Sequence, residues 1–422
     1  MKALSYGDFM KSILLAVGLS VCVFSAQAQK TTLVVAAYPA VDEIVKASVA
    51  SFQKAHPLVE IKVVSREYAD HHTAMTTALA ASSGLPDVMA IEYGYLGRFS
   101  QSGGLENLSA APYLADELAN RFTPYAWAQA RHGRLGQTAM PGDIGPGALF
   151  YRQDLVARAG VEPAALSGRW EDLIQAGKQI KARTGAFLVA HARDVKDVVI
   201  RAGVEPGQGL YFDAQGASLV GSAPRFKRAF ELARQVREAG LDARVNAWSN
   251  EWSESLRRDR IAVQMMGAWL SGHLQNWLAP ETAGKWRSAP LPDEAATSWG
   301  GTFYAIPQRA QHKALAWQLL RHLTLDASQQ RLALERFNAF PALREAQTGA
   351  FFDQPIAFLG GQQARRDWRE TAQRIQASQV FRHDPIADEI VNAELDLVLN
   401  RGKPIDRALA DAHRLITRRS RR

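Results

Sequence analysis

The stretch Thr31–Val64, TTLVVAAYPAVDEIVKASVASFQKAHPLVEIKVV, decides the fold class. Thr31–Ala37 is rich in β-forming residues and stops at Tyr38-Pro39. Val41, Ile44, Val45, Val49 and Phe52 then recur at helical spacing, and Pro57 ends that helix. Val59–Val64 reads as strand again. Strands alternating with helices argue for a parallel sheet covered on both faces.

The same alternation continues outward. Asp70 is placed to cap a helix running through Ala81, Gly84 and Pro86 break the chain, and Asp87–Ile91 is a short apolar strand. Met140–Gly147, MPGDIGPG, reads as a Pro/Gly-rich break and a crossing between two lobes, with strand resuming at Ala148–Tyr151. Beyond it come a helix over Trp170–Arg183, a strand at Phe187–Ala190, and a helix opened by Pro224 and ended by Gly240. Ile261–Met266 is a strand and Trp269–Leu278 a helix. Pro290-Leu291-Pro292 is a second break, and from Gln311 onward the chain is mostly helical. The arginine-rich end, Arg418–Arg422, is expected to fray.

Composition narrows the class. A chain of 422 residues suits two or three domains. The formal charge of +8 is dispersed, and no nucleic-acid-binding motif accompanies it, so a solvated basic surface is expected and no nucleic-acid partner. At the N-terminus Lys2 and Lys11 precede the apolar run Ile13–Phe24, and Ala26-Gln27-Ala28 matches a small-x-small cleavage site. Residues 1–28 therefore read as an export signal, too short for a comfortable membrane span. Cys22 lies within that segment, so the mature chain would hold no cysteine, disulfide or thiol-based metal site. Export without crosslinks points to a bacterial periplasm.

Ligands of open parallel sheets bind beyond the carboxyl ends of the strands. Tyr38 follows the first strand, Glu92-Tyr93 follow Asp87–Ile91, and Trp269 follows Ile261–Met266. Asp143 lies in the break between halves, and Trp299-Gly300-Gly301 opens SWGGTFYAIP, Ser298–Pro307. Flat aromatic faces with two carboxylates suit a sugar: rings cover the C–H side of a pyranose and carboxylates accept from its hydroxyls. The glycines permit close backbone approach. Catalytic signatures of zinc proteases, serine hydrolases and phosphate-loop enzymes are missing. Glu92 and Asp143 are the one carboxylate pair that could serve a glycosidase. His71 and His72, adjacent on a helix, point apart and read as surface residues. Trp248, Trp252 and Trp277 could line a site or fill a core, and core is the favoured reading.

On these motifs the chain resembles the extracellular solute-binding proteins of bacterial ABC importers, in the carbohydrate-binding branch. Thr32–Tyr38, Phe52–Pro57 and Val59–Val64 are similar to the family's opening strand, helix and strand. So are LPDVMAIEYGYL (Leu85–Leu96), GRLGQTAMPGDIGPGALFYRQDLVARAGV (Gly133–Val161) with Trp170–Leu173, RRDRIAVQMMGAW (Arg257–Trp269), and the Trp-Gly-Gly stretch followed by Lys313–Trp317. The chain departs from the family at Gly136-Gln137 and at Ile144, where a serine is frequent in sugar-binding members. The resemblance implies a two-lobed α/β fold of type II, each lobe a mixed sheet flanked by helices, with the ligand cleft at the hinge. It implies residues 29–141 plus 295–340 as the N-terminal lobe and 142–294 plus 341–422 as the C-terminal lobe. It also implies a monomer without cofactor or metal, delivering a sugar to ABC permease transmembrane subunits. Its site candidates are Glu92, Asp143, Trp269, Trp299, Gly300 and Gly301, then Tyr38, Tyr93 and Phe340. Two other readings are an exported glycoside hydrolase and a binder of a glycerophosphate-type polyol, with Arg344 serving its phosphate.

Overall fold

A computed structural model describes residues 30–421. The expected export signal, with Cys22, lies outside the described residues. The main strands are β1 (Thr31–Ala37), β2 (Val59–Ser65), β3 (Val88–Glu92), β4 (Met140–Arg152), β5 (Val263–Gly267), β6 (Trp286–Ala289), β7 (Ser298–Ala305) and β8 (Phe340–Pro341). β1 pairs in parallel with β2 and β3, as the opening alternation requires. The helix Val41–Ala55 between β1 and β2 buries Val41, Ile44, Val45 and Phe52 of the predicted apolar stripe, with Val49 half-buried. β3 then pairs antiparallel with β7, and β7 with β4, so the sheet is mixed.

The architecture turns on β4. The expected break at Met140–Gly147 is part of one 13-residue strand. Its first half pairs with β7 and β8, and its second half with β5 and β6. Register shifts fall between Pro141 and Asp143 and between Ile144 and Pro146. Proline cannot donate to the ladder and bulges bend a strand, so the prolines kink β4 without ending it. One continuous strand thus joins two sheets, and helices cover both. The β5–β4–β6 sheet is extended by parallel bridges, Phe187 to Ile261 and Val189 to Asp242. That replaces the full strand expected at Phe187–Ala190.

Other boundaries moved for local reasons. The helix carrying Asp70 begins at Tyr68, with Glu67 before it and Asp70 in its first turn. The C-terminal helix spans Ile405–Ser420 and carries Arg418 and Arg419 in its last turn. It is anchored by buried Leu409, Ala412 and Ile416, so the expected fraying does not reach those arginines.

Candidate functional site

β3 delivers Glu92 at its carboxyl end, where it caps the helix Tyr93–Ser100. Its Oε2 accepts from the Gly94 N–H and from the Tyr68 hydroxyl, both at 2.7 Å. Burial raises the Glu92 pKa, and these two bonds and the Arg201 charge oppose that rise. Tyr68 is 42% exposed and, desolvated beside a carboxylate, stays protonated as the donor. His72 supports this corner. Burial pushes it down to about 4, so its ring is neutral. Nδ1–H donates to the Tyr68 carbonyl at 2.7 Å, and Nε2 accepts from the Glu92 N–H at 3.2 Å. His71 and His72 are therefore buried scaffold residues, not surface ones. Each ring finds a backbone partner, His71 the Ala90 carbonyl at 2.8 Å.

β5 delivers Trp269 two residues past its end. The indole N–H donates to the Trp299 carbonyl at 2.7 Å. Two glycines make the room: a Cβ on Gly267 would lie 2.3 Å from that indole nitrogen, and one on Gly145 would lie 2.7 Å from it. Gly300 serves through its left-handed backbone, at φ 74°, and the point its Cβ would occupy lies 3.5 Å from both Glu92 Oε1 and Trp269 Nε1. Glu92 and Trp269, 177 residues apart by number (269 less 92), thus converge over one backbone position.

β7 and β4 set the floor. Gly301, at φ 127°, has its missing Cβ 2.9 Å from the Asp143 carbonyl. The Asp143 carboxylate accepts from the Thr302 N–H at 2.5 Å. Burial raises the Asp143 pKa, while Thr302's hydroxyl and amide lower it. Tyr38 is buried beneath, sharing a 3.0 Å hydrogen bond with the Thr302 hydroxyl. Trp299 is partly exposed, and the Arg201 guanidinium lies 4.7 Å from its ring centre. Arg201 also donates to the Ser298 carbonyl at 3.2 Å.

Of the sequence-derived candidates, the fold gathers Glu92, Asp143, Trp269, Trp299, Gly300 and Gly301. Tyr38 and Tyr93 lie beneath them, each buried. Phe340 is different: it is 1% exposed, pairs with Ile144 and packs edge-on against Phe352, which makes it a core residue. Arg344 donates to the Asn120 carbonyl and takes no part in this cluster. Of the three tryptophans read as core, Trp252 is fully buried, but Trp248 and Trp277 are 52% and 48% exposed, with Trp248 stacked on Trp269 and Trp277 stacked on Trp248. Tyr68 and Arg201 were missed. Tyr68 follows the second strand much as Tyr38 follows the first, which was a usable signal. Arg201 is the second-last residue of the helix Ala192–Ala202, after the apolar Val198–Ile200, and nothing local marks it.

Partly exposed aromatics and two carboxylates gathered where one strand joins two sheets define a two-lobed α/β binding protein. The chain belongs to the bacterial extracellular solute-binding protein family, whose profile matches residues 47–359. It is 26% identical to the lactose-binding protein of Rhizobium radiobacter over 383 residues, 87% of each chain. A solved extracellular solute-binding protein of family 1 superposes with a TM-score of 0.81 at 24% identity, covering 92% of this chain and 99% of its own. The ABC transporter associated binding protein of B. animalis subsp. lactis Bl-04, solved with β-1,6-galactobiose, gives 0.73 at 21% identity, covering 92% and 97%.

Proposed function

We propose that this chain is the substrate-binding protein of an ABC importer, capturing a mono- or oligosaccharide in the periplasm and delivering it to a membrane permease. The observation that carries this is the meeting of Glu92 and Trp269 over Gly300. A carboxylate accepts from sugar hydroxyls while the indole covers a C–H face. The names of the relatives add a lactose binder and a galactobiose complex.

The lobes of this reading are 29–141 with 295–340, and 142–294 with 341–422, hinged at β4 and β7. Ligand contacts are complete only when both lobes engage, so the sugar stabilises the closed form by its differential affinity. Cleavage of the cargo forms no part of the reading. Glu92 Oε2 and Asp143 Oδ1 are already engaged by protein donors, which suits holding hydroxyls rather than exchanging protons.

Calorimetric titration of the exported chain with lactose, β-1,6-galactobiose and their monosaccharides tests this. Saturable binding without hydrolysis products is expected. A folded protein that binds no mono-, di- or trisaccharide overturns it. Released monosaccharide that disappears with Glu92→Gln favours the hydrolase, and displacement of ligand by phosphate favours the polyol binder.

A further inference from the structure

An exposed aromatic ridge leads out of the site. The Trp248 ring lies 5.8 Å from that of Trp269 at 26°, and 6.5 Å from that of Trp277 at 28°. His273 meets all three edge-on, at 81° to Trp248, 89° to Trp269 and 90° to Trp277. It also accepts the Trp277 indole N–H at 2.9 Å. The N–H groups of Trp269 and Trp277 are bonded to protein acceptors, and Trp248 and Trp277 are about half exposed, so apolar ring surface is left in water. Area left in water forgoes the stabilisation that its burial would give. Trp248 carries a second cost, because its φ of 69° is a left-handed conformation that glycine takes freely and an aromatic residue does not.

We propose that Trp248 and Trp277 form an outer subsite that stacks on a further pyranose, so that the cargo is an oligosaccharide rather than a monosaccharide. This rests on the sugar-binding reading above. The occupant follows from continuity: the ridge begins at Trp269, so a chain of rings held at Glu92 and Trp269 runs onto it. The faces match the C–H side of a sugar, and His273 locks the rings so that little freedom is lost on binding.

The test is a calorimetric series of galactose- and glucose-based mono-, di- and trisaccharides on the wild type, Trp248→Gly, Trp277→Ala and Trp277→Tyr. The wild type should bind its best longer sugar at least about tenfold more tightly than the corresponding monosaccharide. Trp248→Gly and Trp277→Ala should remove most of that advantage while affinity for the monosaccharide holds. Trp277→Tyr should retain much of it, and Trp248→Gly should melt no lower than the wild type. Equal affinity for all lengths, or wild-type affinity of both truncated variants for the longer sugar, overturns the proposal and leaves the ridge as a surface for another protein. A wild type that binds no sugar defeats the sugar reading itself, and this inference with it.

Discussion

Trp269 donates its indole N–H to the backbone carbonyl of Trp299 at 2.7 Å, and this bond ties the end of β5 to the start of β7. It holds the indole nitrogen 3.5 Å from the point a Gly300 Cβ would occupy, the same distance as Glu92 Oε1. Because the acceptor is backbone, that placement depends on how closely the two chains approach.

That approach leaves no space at Gly145. A Cβ there would lie 1.8 Å from the Trp299 carbonyl oxygen, a backbone atom that cannot swing aside. Gly145→Ala should cost about 1–3 kcal/mol of stability or more, as overpacking does. A urea titration checks this, with a lowered midpoint and unchanged slope expected.

Trp269→Ala should weaken sugar binding by about 1–3 kcal/mol, the worth of one covered aromatic face. Calorimetry measures it, with circular dichroism showing an intact fold. Unchanged affinity would remove Trp269 from the site.

Tyr38 acts from below. Its hydroxyl shares a buried 3.0 Å hydrogen bond with Thr302, the residue that holds Asp143. Tyr38→Phe should cost about 1 kcal/mol of stability, read from denaturant midpoints. Affinity should fall by less than in Trp269→Ala, because the ring is 7% exposed and offers little surface to a ligand.

Asp194 predicts a pH dependence. Burial, then the neighbouring Asp197 charge, raises its pKa from 3.8 to about 7. Between those values the folded state holds a proton that the unfolded state has lost, so this group's contribution falls as pH rises through the window. Asp194→Asn should match the wild type near pH 4 and exceed it at pH 8. The amide oxygen can still accept from Gln264 Nε2, now 3.2 Å from Asp194 Oδ2. Denaturant midpoints at the two pH values decide it. A variant less stable at pH 8 would show that the ionised carboxylate is needed.

The amino-acid sequence by itself determined the alternation of strands and helices through β3, because period and breakers act locally. It also placed Glu92 and Trp269, because each follows a readable strand end, and the Gly300-Gly301 pair, because it opens a readable strand. It misread Met140–Gly147 as a break, since proline and glycine mark turns unless a partner strand holds the chain extended, and that partner, β7, lies more than 150 residues away. Tertiary structure alone decided the rest. His71 and His72 are buried because β3 supplies their backbone partners. Trp248 and Trp277 are exposed because a tryptophan's composition signal is the same in core and cleft, and only packing against Trp269 and His273 tells them apart. Arg201 joins the site because its helix ends against Trp299, a contact between residues 98 apart by number (299 less 201) that no local pattern encodes.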